Sequence, residues 1–479
     1  MKKIILPLAF CLLSMLVFSQ GYEIKLKVNG VHDTVLYLGH HFGDKKYVID
    51  TARIDSKGNC TFAGKEKLNH GIYIVVMPSL KMTYFEIIVG DEQHFSIETD
   101  TARYVDNMKI KGSAENKLFN DYQRKMAELQ SKQLDYINLK SKYSDMPDSV
   151  KLYNEKIRDI SEQRHQYMLN MVDKNSNTFF AKVLKSMIEI DVPDYPRDQN
   201  GNITDSTFQW RYYKDHYFDN IDFNEAGLLR TPVFQGKLTY FFDKVVVPLP
   251  DSMKFESDRV IKMAYEGDTL MFRFVAAHLL NYFETSKIMG FDEVFVHIAE
   301  QWYLSGKAYW GDSTFMAKLT ERVLKITPNI IGNVAPDLKK METYDETYMS
   351  LHAVDAEYTI LVFWEPDCGH CKKEVPELFE KWRDTLSNMN VKVFCLYTQY
   401  EKEKWVDFIN EKDMIGSGWY NVWDGPYPHS NFRNFYDIYS TPVVYMLDRE
   451  KRIVAKRIGV DSITEFIRFD KQRRAAEKE

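Results

Sequence analysis

The chain has 479 residues, of which 44% are hydrophobic, 14% aromatic and 28% charged. This length and balance predict about three globular domains and exclude long disorder, collagen-like repeats and a polytopic membrane protein. The formal net charge of −6 lacks the basic surface of a general nucleic-acid-binding protein, so no nucleic-acid partner is expected.

Residues 1–19 have the pattern of a cleavable export signal. Two lysines are followed by an apolar run, and Ser19 provides a small residue for cleavage. The run is short for a membrane span and no later stretch reaches about 18 uncharged apolar residues, so the mature chain is expected to lack a transmembrane segment. A lipid anchor at Cys11 is disfavoured, because bulky Phe10 stands where a small residue is needed. We therefore expect a periplasmic or cell-envelope protein.

Residues 20–112 are predicted to form an antiparallel β-sandwich. Apolar and polar side chains alternate from Tyr22 to Val28, and turn residues such as Asn29-Gly30 and Gly90-Asp91 fit hairpin connections. Further short strands are predicted at Tyr47–Ile54, Cys60–Phe62, Ile72–Met77 and Tyr84–Val89. No catalytic constellation is visible in this domain.

Residues 113–330 are predicted to be helical. Ser113 is a plausible N-cap, and apolar residues follow it at spacings of three and four. The proline-containing segment Val192–Asp205 predicts a loop and a boundary near 192–205 within the helical region. Helices are predicted over Asp148–Met171 and Thr178–Ile190, and several more between Phe208 and about Lys325.

Residues 331–479 show strands and helices in alternation, which predicts a compact three-layer α/β domain. The predicted strands are Thr359–Trp364, Val391–Tyr397, Val443–Leu447 and Arg452–Arg457, and the predicted helices are Lys372–Leu386, Lys402–Asn410, Asn431–Tyr436 and Ser462–Phe469.

The sequence Cys368-Gly369-His370-Cys371 carries the strongest chemical signal of the chain. It follows a predicted strand and opens a predicted helix, where the helix dipole and free N–H groups stabilise a thiolate at the first helical position. Cys371 lies one turn further on the same face, within disulfide range. A positively charged His370 would favour the reduced form and make the disulfide more oxidising.

Two other interpretations of the cysteine pair remain open. A zinc site needs two further ligands, which no second CxxC and no paired histidines supply. A structural disulfide suits an exported chain, although such short loops at helix starts are rarely used for it. The favoured redox interpretation requires neither a metal nor an organic cofactor, since electrons pass by thiol exchange. Cys60 and Cys395 are expected to be buried bystanders.

The stretch Phe363–Pro376, FWEPDCGHCKKEVP, resembles the active-site stretch of the thioredoxin superfamily, and within it that of the TlpA/ResA-like thiol–disulfide oxidoreductases of the bacterial cell envelope. Ser440–Val443 resembles the cis-proline loop of that family. The resemblance covers about Val334 to Phe469 and implies a thioredoxin-like fold. The preceding β and helical segments resemble domains that precede thioredoxin modules in many envelope proteins.

The resemblance implies a role for each matching residue. Cys368 would be the attacking thiolate and Cys371 the resolving thiol, while Trp364, Thr441 and Pro442 would dock the client protein. The clients would be disulfide-bearing envelope proteins, and a membrane thiol–disulfide carrier would donate the electrons.

Glu374 is a further candidate site residue, because the sequence departs from that of thioredoxin itself at one position. Val362 stands where thioredoxin has a buried aspartate, whereas Glu374 matches the acidic residue found in the TlpA/ResA-like branch. Because Glu374 shares a helical face with Cys371, a buried Glu374 is hypothesised to accept the proton of that thiol. A surface glutamate is the alternative.

Two functions from different classes follow. The favoured function is that of an exported protein thiol–disulfide oxidoreductase, with the reductase direction preferred. The alternative is an envelope binding or assembly module, in which the N-terminal domains act and the thioredoxin-like domain is an adaptor.

Overall fold

The computed structural model describes residues 21–427 and 429–476. The predicted export signal, residues 1–19, lies outside the described residues. Among those that are described, no helix combines the length and the apolar character needed to cross a membrane.

The N-terminal region forms the predicted β-sandwich. Within the described residues its strands pair in two four-stranded sheets, ordered β4-β1-β7-β8 and β3-β2-β5-β6. Side chains such as Ile24, Leu26 and Val28 alternate into one core between the sheets. The strands are β1 (Tyr22–Asn29), β2 (Thr34–Phe42), β3 (Lys45–Ile54), β4 (Asn59–Gly64), β5 (Gly71–Met77), β6 (Thr83–Val89), β7 (His94–Asp100) and β8 (Lys109–Lys111).

Two details of this region differ from the prediction. Strand β1 pairs with β7 in parallel, so the sandwich is not antiparallel throughout. Strands β2, β7 and β8 were not predicted. In β2 the polar His40 and His41 interrupt the apolar pattern, yet the sheet half-buries His40 and buries His41.

The central region is helical, as predicted. The predicted N-cap at Ser113 is formed, because the Ser113 hydroxyl accepts a hydrogen bond of 3.1 Å from the Asn116 N–H. Thr178 caps α3 in the same way by accepting one from the Ala181 N–H. The helices are α1 (Ala114–Lys142), α2 (Pro147–Lys174), α3 (Phe179–Met187), α4 (Phe208–His216), α5 (Phe234–Tyr240), α6 (Pro250–Glu266), α7 (Thr269–Thr285), α8 (Phe291–Ile298) and α9 (Ser313–Ile326).

The described residues divide into two compact units. The first comprises the residues up to Val246 together with Met263–Met271, and the second comprises Val247–Lys262 and the chain from Phe272 onwards. The second unit therefore holds α8 and α9 as well as the C-terminal α/β elements. The domain limits at 112 and 330 stay predictions.

The C-terminal region is the predicted α/β domain. Among the described residues, seven strands form its sheet, in the order β10-β9-β13-β12-β11-β14-β15. The elements are β9 (Met341–Thr343), β10 (Tyr348–Met349), β11 (Tyr358–Trp364), α10 (Gly369–Lys381), β12 (Val391–Tyr397), α11 (Lys402–Glu411), β13 (Trp419–Trp423), α12 (Phe432–Phe435), β14 (Val443–Leu447), β15 (Ile453–Lys456) and α13 (Ile463–Ala476).

The burial of strand β11 shows that this sheet is covered on both faces. Strand β11 runs parallel to β12 and antiparallel to β14, and every residue of β11 is buried. Ile360 and Val362 join one core cluster, whereas Leu361 and Phe363 join the cluster on the opposite face. The sheet is thus the middle of three layers. Strand β11 is followed directly by the CxxC segment, which therefore lies at the edge where the parallel strands end.

Candidate functional site

The cysteine pair lies where β11 passes into α10. Strand β11 ends at Trp364 and helix α10 begins at Gly369, so Cys368 is the N-cap rather than the first helical residue that the sequence predicted. The correction follows from backbone geometry: Cys368 has an extended conformation, with φ −79° and ψ 123°. Its side chain therefore caps the helix, as serine or threonine does elsewhere.

The surroundings of the Cys368 sulfur favour a thiolate. Partial burial alone would raise the pKa of this thiol, but hydrogen bonds from the backbone N–H groups of Cys371 and His370, and contact with Thr441, lower it below its ordinary value. The Cys371 N–H donates to Cys368 Sγ at 3.4 Å, and the protonated thiol donates to the Thr441 carbonyl at 3.2 Å. Cys368 is also half-exposed, so this sulfur is both accessible and readily ionised.

Cys371 has the opposite environment. It is fully buried, at 0% exposure, and this burial raises the pKa of its thiol to about 12. Both thiols are free in this structure. The pair thus combines one accessible thiol of low pKa with one inaccessible thiol of high pKa, as expected for a nucleophile and a resolving thiol.

The predicted docking residues Thr441 and Pro442 lie beside Cys368. The Thr441–Pro442 peptide bond is cis, and both residues are half-buried. We call residues 437–442 the cis-proline loop. Its Thr441 carbonyl contacts the Cys368 thiol, so the loop lies next to the accessible sulfur.

Trp364 does not have the predicted docking role. Its side chain is fully buried, at 0% exposure, and packs against Phe408 and Tyr397 with ring centroids 5.1 and 6.2 Å apart. Trp364 is therefore part of the core beneath the site rather than of an exposed docking surface.

His370 and Glu374 lie on the outer face of α10. The side chain of His370 is 85% exposed and that of Glu374 is 39% exposed, with His370 Nδ1 3.9 Å from Glu374 Oε1. The burial expected for Glu374 is therefore not observed, since its side chain is only partly covered. Its role as a base remains a hypothesis.

Glu365 is a site residue to which sequence reasoning gave no role. Its carboxylate accepts a hydrogen bond of 3.0 Å from the Thr441 hydroxyl and another from the Gln399 side-chain amide. The available signal was its position: an acidic residue directly after a buried parallel strand lies at the edge of the sheet where sites form.

The other described cysteines are buried, as predicted. Burial raises the pKa of the Cys60 thiol to about 12 and that of the Cys395 thiol well above its ordinary value. Cys395 lies in the same core cluster as Cys371, on β12. Within residues 21–427 and 429–476, no three histidine, cysteine, aspartate or glutamate side chains are grouped so that they could hold a metal ion.

Three families match parts of the chain. Residues 331–460 match the AhpC/TSA family. Residues 22–119 match the domain of unknown function DUF4369, and residues 189–308 match the domain of unknown function DUF5106. No curated protein matches the chain.

Several solved structures are similar to the chain. A domain of a possible thiol-disulfide isomerase from Cytophaga hutchinsonii is 38% identical, covering 30% of this chain and 97% of that domain, with a TM-score of 0.28. A thioredoxin-like protein from Bacteroides caccae is 17% identical, covering 58% of this chain and 98% of that one, with a TM-score of 0.45. StoA from Bacillus subtilis is 20% identical over 28% of this chain and 98% of its own length, with a TM-score of 0.23.

The family match and the CxxC segment between β11 and α10 define the class of protein. Through residues 331–460 the chain belongs to the thioredoxin superfamily, as predicted. Its C-terminal domain is a thioredoxin domain of the thiol–disulfide oxidoreductase type.

Proposed function

We propose that the protein is an exported protein-disulfide reductase of the TlpA/ResA type that uses Cys368 and Cys371. The observation that carries the proposal is the contrast between the two thiols. The Cys368 sulfur is half-exposed with a lowered pKa, whereas Cys371 is buried with a pKa raised to about 12. Such a contrast fixes the order in which the two sulfurs react.

In the first step the Cys368 thiolate attacks one sulfur of a client disulfide. A bond forms between Cys368 Sγ and that sulfur, and the disulfide bond of the client breaks. The second client sulfur leaves as a thiolate and takes a proton from solvent. The backbone N–H of Cys371 stabilises the attacking thiolate before the step, and the Thr441 carbonyl lies beside the reacting sulfur.

In the second step Cys371 resolves the mixed disulfide. Its thiol loses a proton, for which Glu374 is the candidate acceptor, and its sulfur attacks Cys368 Sγ. The Cys368–Cys371 disulfide forms and the remaining client sulfur leaves as a thiolate. The client has then gained two electrons and the protein has lost two. A reduced dithiol donor must restore the pair, and we assign this role to a membrane thiol–disulfide carrier.

The site of action follows from the N-terminal sequence. The basic start and apolar run of residues 1–19 support export through a cleavable signal, so the clients are disulfide-bearing proteins of the periplasm or cell envelope. Fractionation of cells that express the full chain, with the N-terminus of the purified protein determined by mass spectrometry, tests this part. An intact N-terminus in the cytoplasmic fraction contradicts it.

Insulin reduction by the full chain tests the activity. With dithiothreitol as the electron source, the parent should accelerate precipitation of the insulin B chain, and Cys368→Ser should not. Cys60→Ser is the matched control, because it removes a buried thiol of the N-terminal sandwich. If the parent is as inactive as Cys368→Ser, the enzyme proposal is wrong, and the alternative in which the N-terminal domains act is favoured.

A further inference from the structure

We infer that Arg322 of helix α9 is a positioning residue for client binding, because it holds the cis-proline loop from outside the thioredoxin-like fold. The inference rests on the proposed function and deepens it. Helix α9, Ser313–Ile326, lies between the segments that match DUF5106 and the AhpC/TSA family. A segment of the chain that neither family model covers therefore contacts the loop that faces Cys368.

The first contact is an ion pair at the start of the loop. The Arg322 guanidinium pairs with Oδ1 of Asp437, while Arg457 pairs with Oδ2 of the same carboxylate at 3.2 Å. The Asp437 side chain is only 3% exposed, and its φ of +53° lies in the left-handed region that aspartate tolerates better than most residues. The pairing with two arginines thus fixes the residue at which the chain turns into the loop.

The second contact is with Tyr439, two residues further along the loop. The Arg322 guanidinium lies 5.5 Å from the centre of the Tyr439 ring, and Lys325 Nζ lies 5.7 Å from it. The ring is nevertheless far from covered, because the residue as a whole is 68% exposed. Helix α9 thereby contacts an aromatic ring that stays largely accessible to solvent.

A third contact fixes the residues that precede the loop. Asn329, in the turn that follows α9, donates a hydrogen bond of 3.2 Å to the Phe435 carbonyl. Asn329 in turn accepts hydrogen bonds of 2.9 and 3.0 Å from Lys456 on β15. Strand β15, the end of α9 and the approach to the loop are therefore linked within one compact unit.

The loop and its neighbours form a cleft of about 350 Å³. Tyr439, Pro442 and Arg457 line it together with Glu374 of helix α10, the helix that carries Cys371. An extended client segment that lies along Pro442 enters this cleft and meets the exposed ring of Tyr439. Because α9 sets the position of Tyr439 and Asp437 but does not touch either sulfur, Arg322 should determine the affinity for a protein client and leave the thiol chemistry unchanged.

The test compares two disulfide substrates in the full chain. Arg322→Ala should raise the KM for insulin about tenfold, equal to about 1.4 kcal/mol, with little change in kcat. Its rate with the small disulfide 5,5′-dithiobis(2-nitrobenzoic acid) should equal that of the parent, because this substrate does not need the loop. Arg322→Lys should give a smaller rise in KM, since lysine keeps the charge but loses the planar fork. Lys318→Ala, on an exposed position of the same helix, is the matched control.

The outcomes separate the inference from the proposed function. If the parent reduces neither substrate, the proposed function is wrong. If the parent is active and the KM for insulin of Arg322→Ala matches that of Lys318→Ala, the inference is wrong. If Arg322→Ala loses activity equally toward insulin and the small disulfide, the inference is also wrong, because the defect then lies in the thiol chemistry and not in client binding. Should the thermal transition show that Arg322→Ala is unfolded, the KM of Arg322→Lys decides between the same outcomes.

Discussion

Glu365 Oε1 accepts a hydrogen bond of 3.0 Å from the hydroxyl of Thr441, a residue 76 positions further along the chain. The backbone carbonyl of the same threonine accepts a hydrogen bond from the Cys368 thiol. These two contacts join the end of β11, the cis-proline loop and Cys368. Under the proposed function, a client bound to the loop would meet the sulfur in a fixed geometry, which would lower the entropic cost of the first attack.

Trapping of mixed disulfides should identify the nucleophile. Cys371→Ser should accumulate clients bound through Cys368, because the exposed thiol remains while the resolving thiol is gone. Cys368→Ser should trap few, since Cys371 is fully buried. Non-reducing gels of the full chain incubated with insulin measure the adducts. The opposite pattern would reverse the two roles.

Alkylation should show that the two thiols ionise in different pH ranges. The pKa of Cys368 is lowered, so the thiolate and hence the rate with iodoacetamide should rise at lower pH than in the same chain unfolded in urea. In Cys368→Ser the folded protein should react slowly even at about pH 9, because burial raises the pKa of Cys371 to about 12. If the rate of Cys368 with iodoacetamide depends on pH in the same way in the folded and the unfolded chain, the fold does not lower the pKa of this thiol.

Glu374→Gln tests the candidate base. If Glu374 accepts the proton of Cys371, this variant should keep the first attack and slow resolution, most visibly below neutral pH. The loss should stay below about 10²-fold, the lower limit for a fully dependent general base, because Glu374 is 39% exposed and water replaces part of its action.

The lifetime of the mixed disulfide after rapid mixing measures this effect. Glu377→Gln, at an exposed position of the same helix, is the control for the change of charge. Equal lifetimes in Glu374→Gln and the parent between about pH 6 and about pH 8 would make Glu374 an ordinary helix residue, and water or another group the base.

The reduction potential of the Cys368–Cys371 couple should lie between about −270 mV, as in thioredoxin, and about −180 mV, as in protein disulfide isomerase. His370→Ala should lower the potential by less than about 30 mV, because the side chain is 85% exposed and water screens its charge. Equilibration in glutathione buffers followed by thiol trapping gives the value. A potential near −120 mV would indicate an oxidant instead.

Asp292 should stabilise the second unit through a buried lysine. Asp292 pairs with Lys456, whose side chain is only 5% exposed. Removal of the Asp292 carboxylate would leave the buried Lys456 ammonium with hydrogen bonds to the Asn329 oxygens but without this ion pair. Asp292→Ala should lower the free energy of unfolding by about 3 kcal/mol, measured by urea titration of the full chain. Glu300→Ala, at an exposed position near the end of α8, should change it by less than about 0.5 kcal/mol. If Asp292→Ala and Glu300→Ala lower the free energy of unfolding by similar amounts, the ion pair between Asp292 and Lys456 does not stabilise the protein as expected.

Local sequence was sufficient to predict that a strand, the cysteine pair and a helix follow one another, because this order depends on neighbours in the chain. It did not predict the exact start of the helix, since Cys368 caps α10 instead of forming its first turn. Strand β13 was missed because its five residues include the polar Asn421, whose amide is satisfied by a backbone carbonyl in the core.

Contacts between distant segments were beyond the sequence pattern. The hydrogen bond between Thr441 and Glu365 and the ion pair between Arg322 and Asp437 join residues 76 and 115 positions apart. Nothing in the spacing of such residues indicates which of many charged or polar side chains will meet. The burial of Trp364 was missed for a related reason, since its docking role was carried over from the resemblance to the family's active-site stretch rather than from its place on a doubly covered strand.

The burial of Cys60, Cys371 and Cys395 leaves Cys368 as the only described cysteine that reaches solvent. In a protein produced from residue 21 onwards, maleimide dyes should therefore label Cys368 selectively, without removal of the other cysteines. A fluorophore attached there lies next to the cis-proline loop, whose Thr441 carbonyl contacts Cys368 Sγ. Its emission and anisotropy would report the approach of client peptides by non-covalent contacts alone, separately from any exchange of electrons.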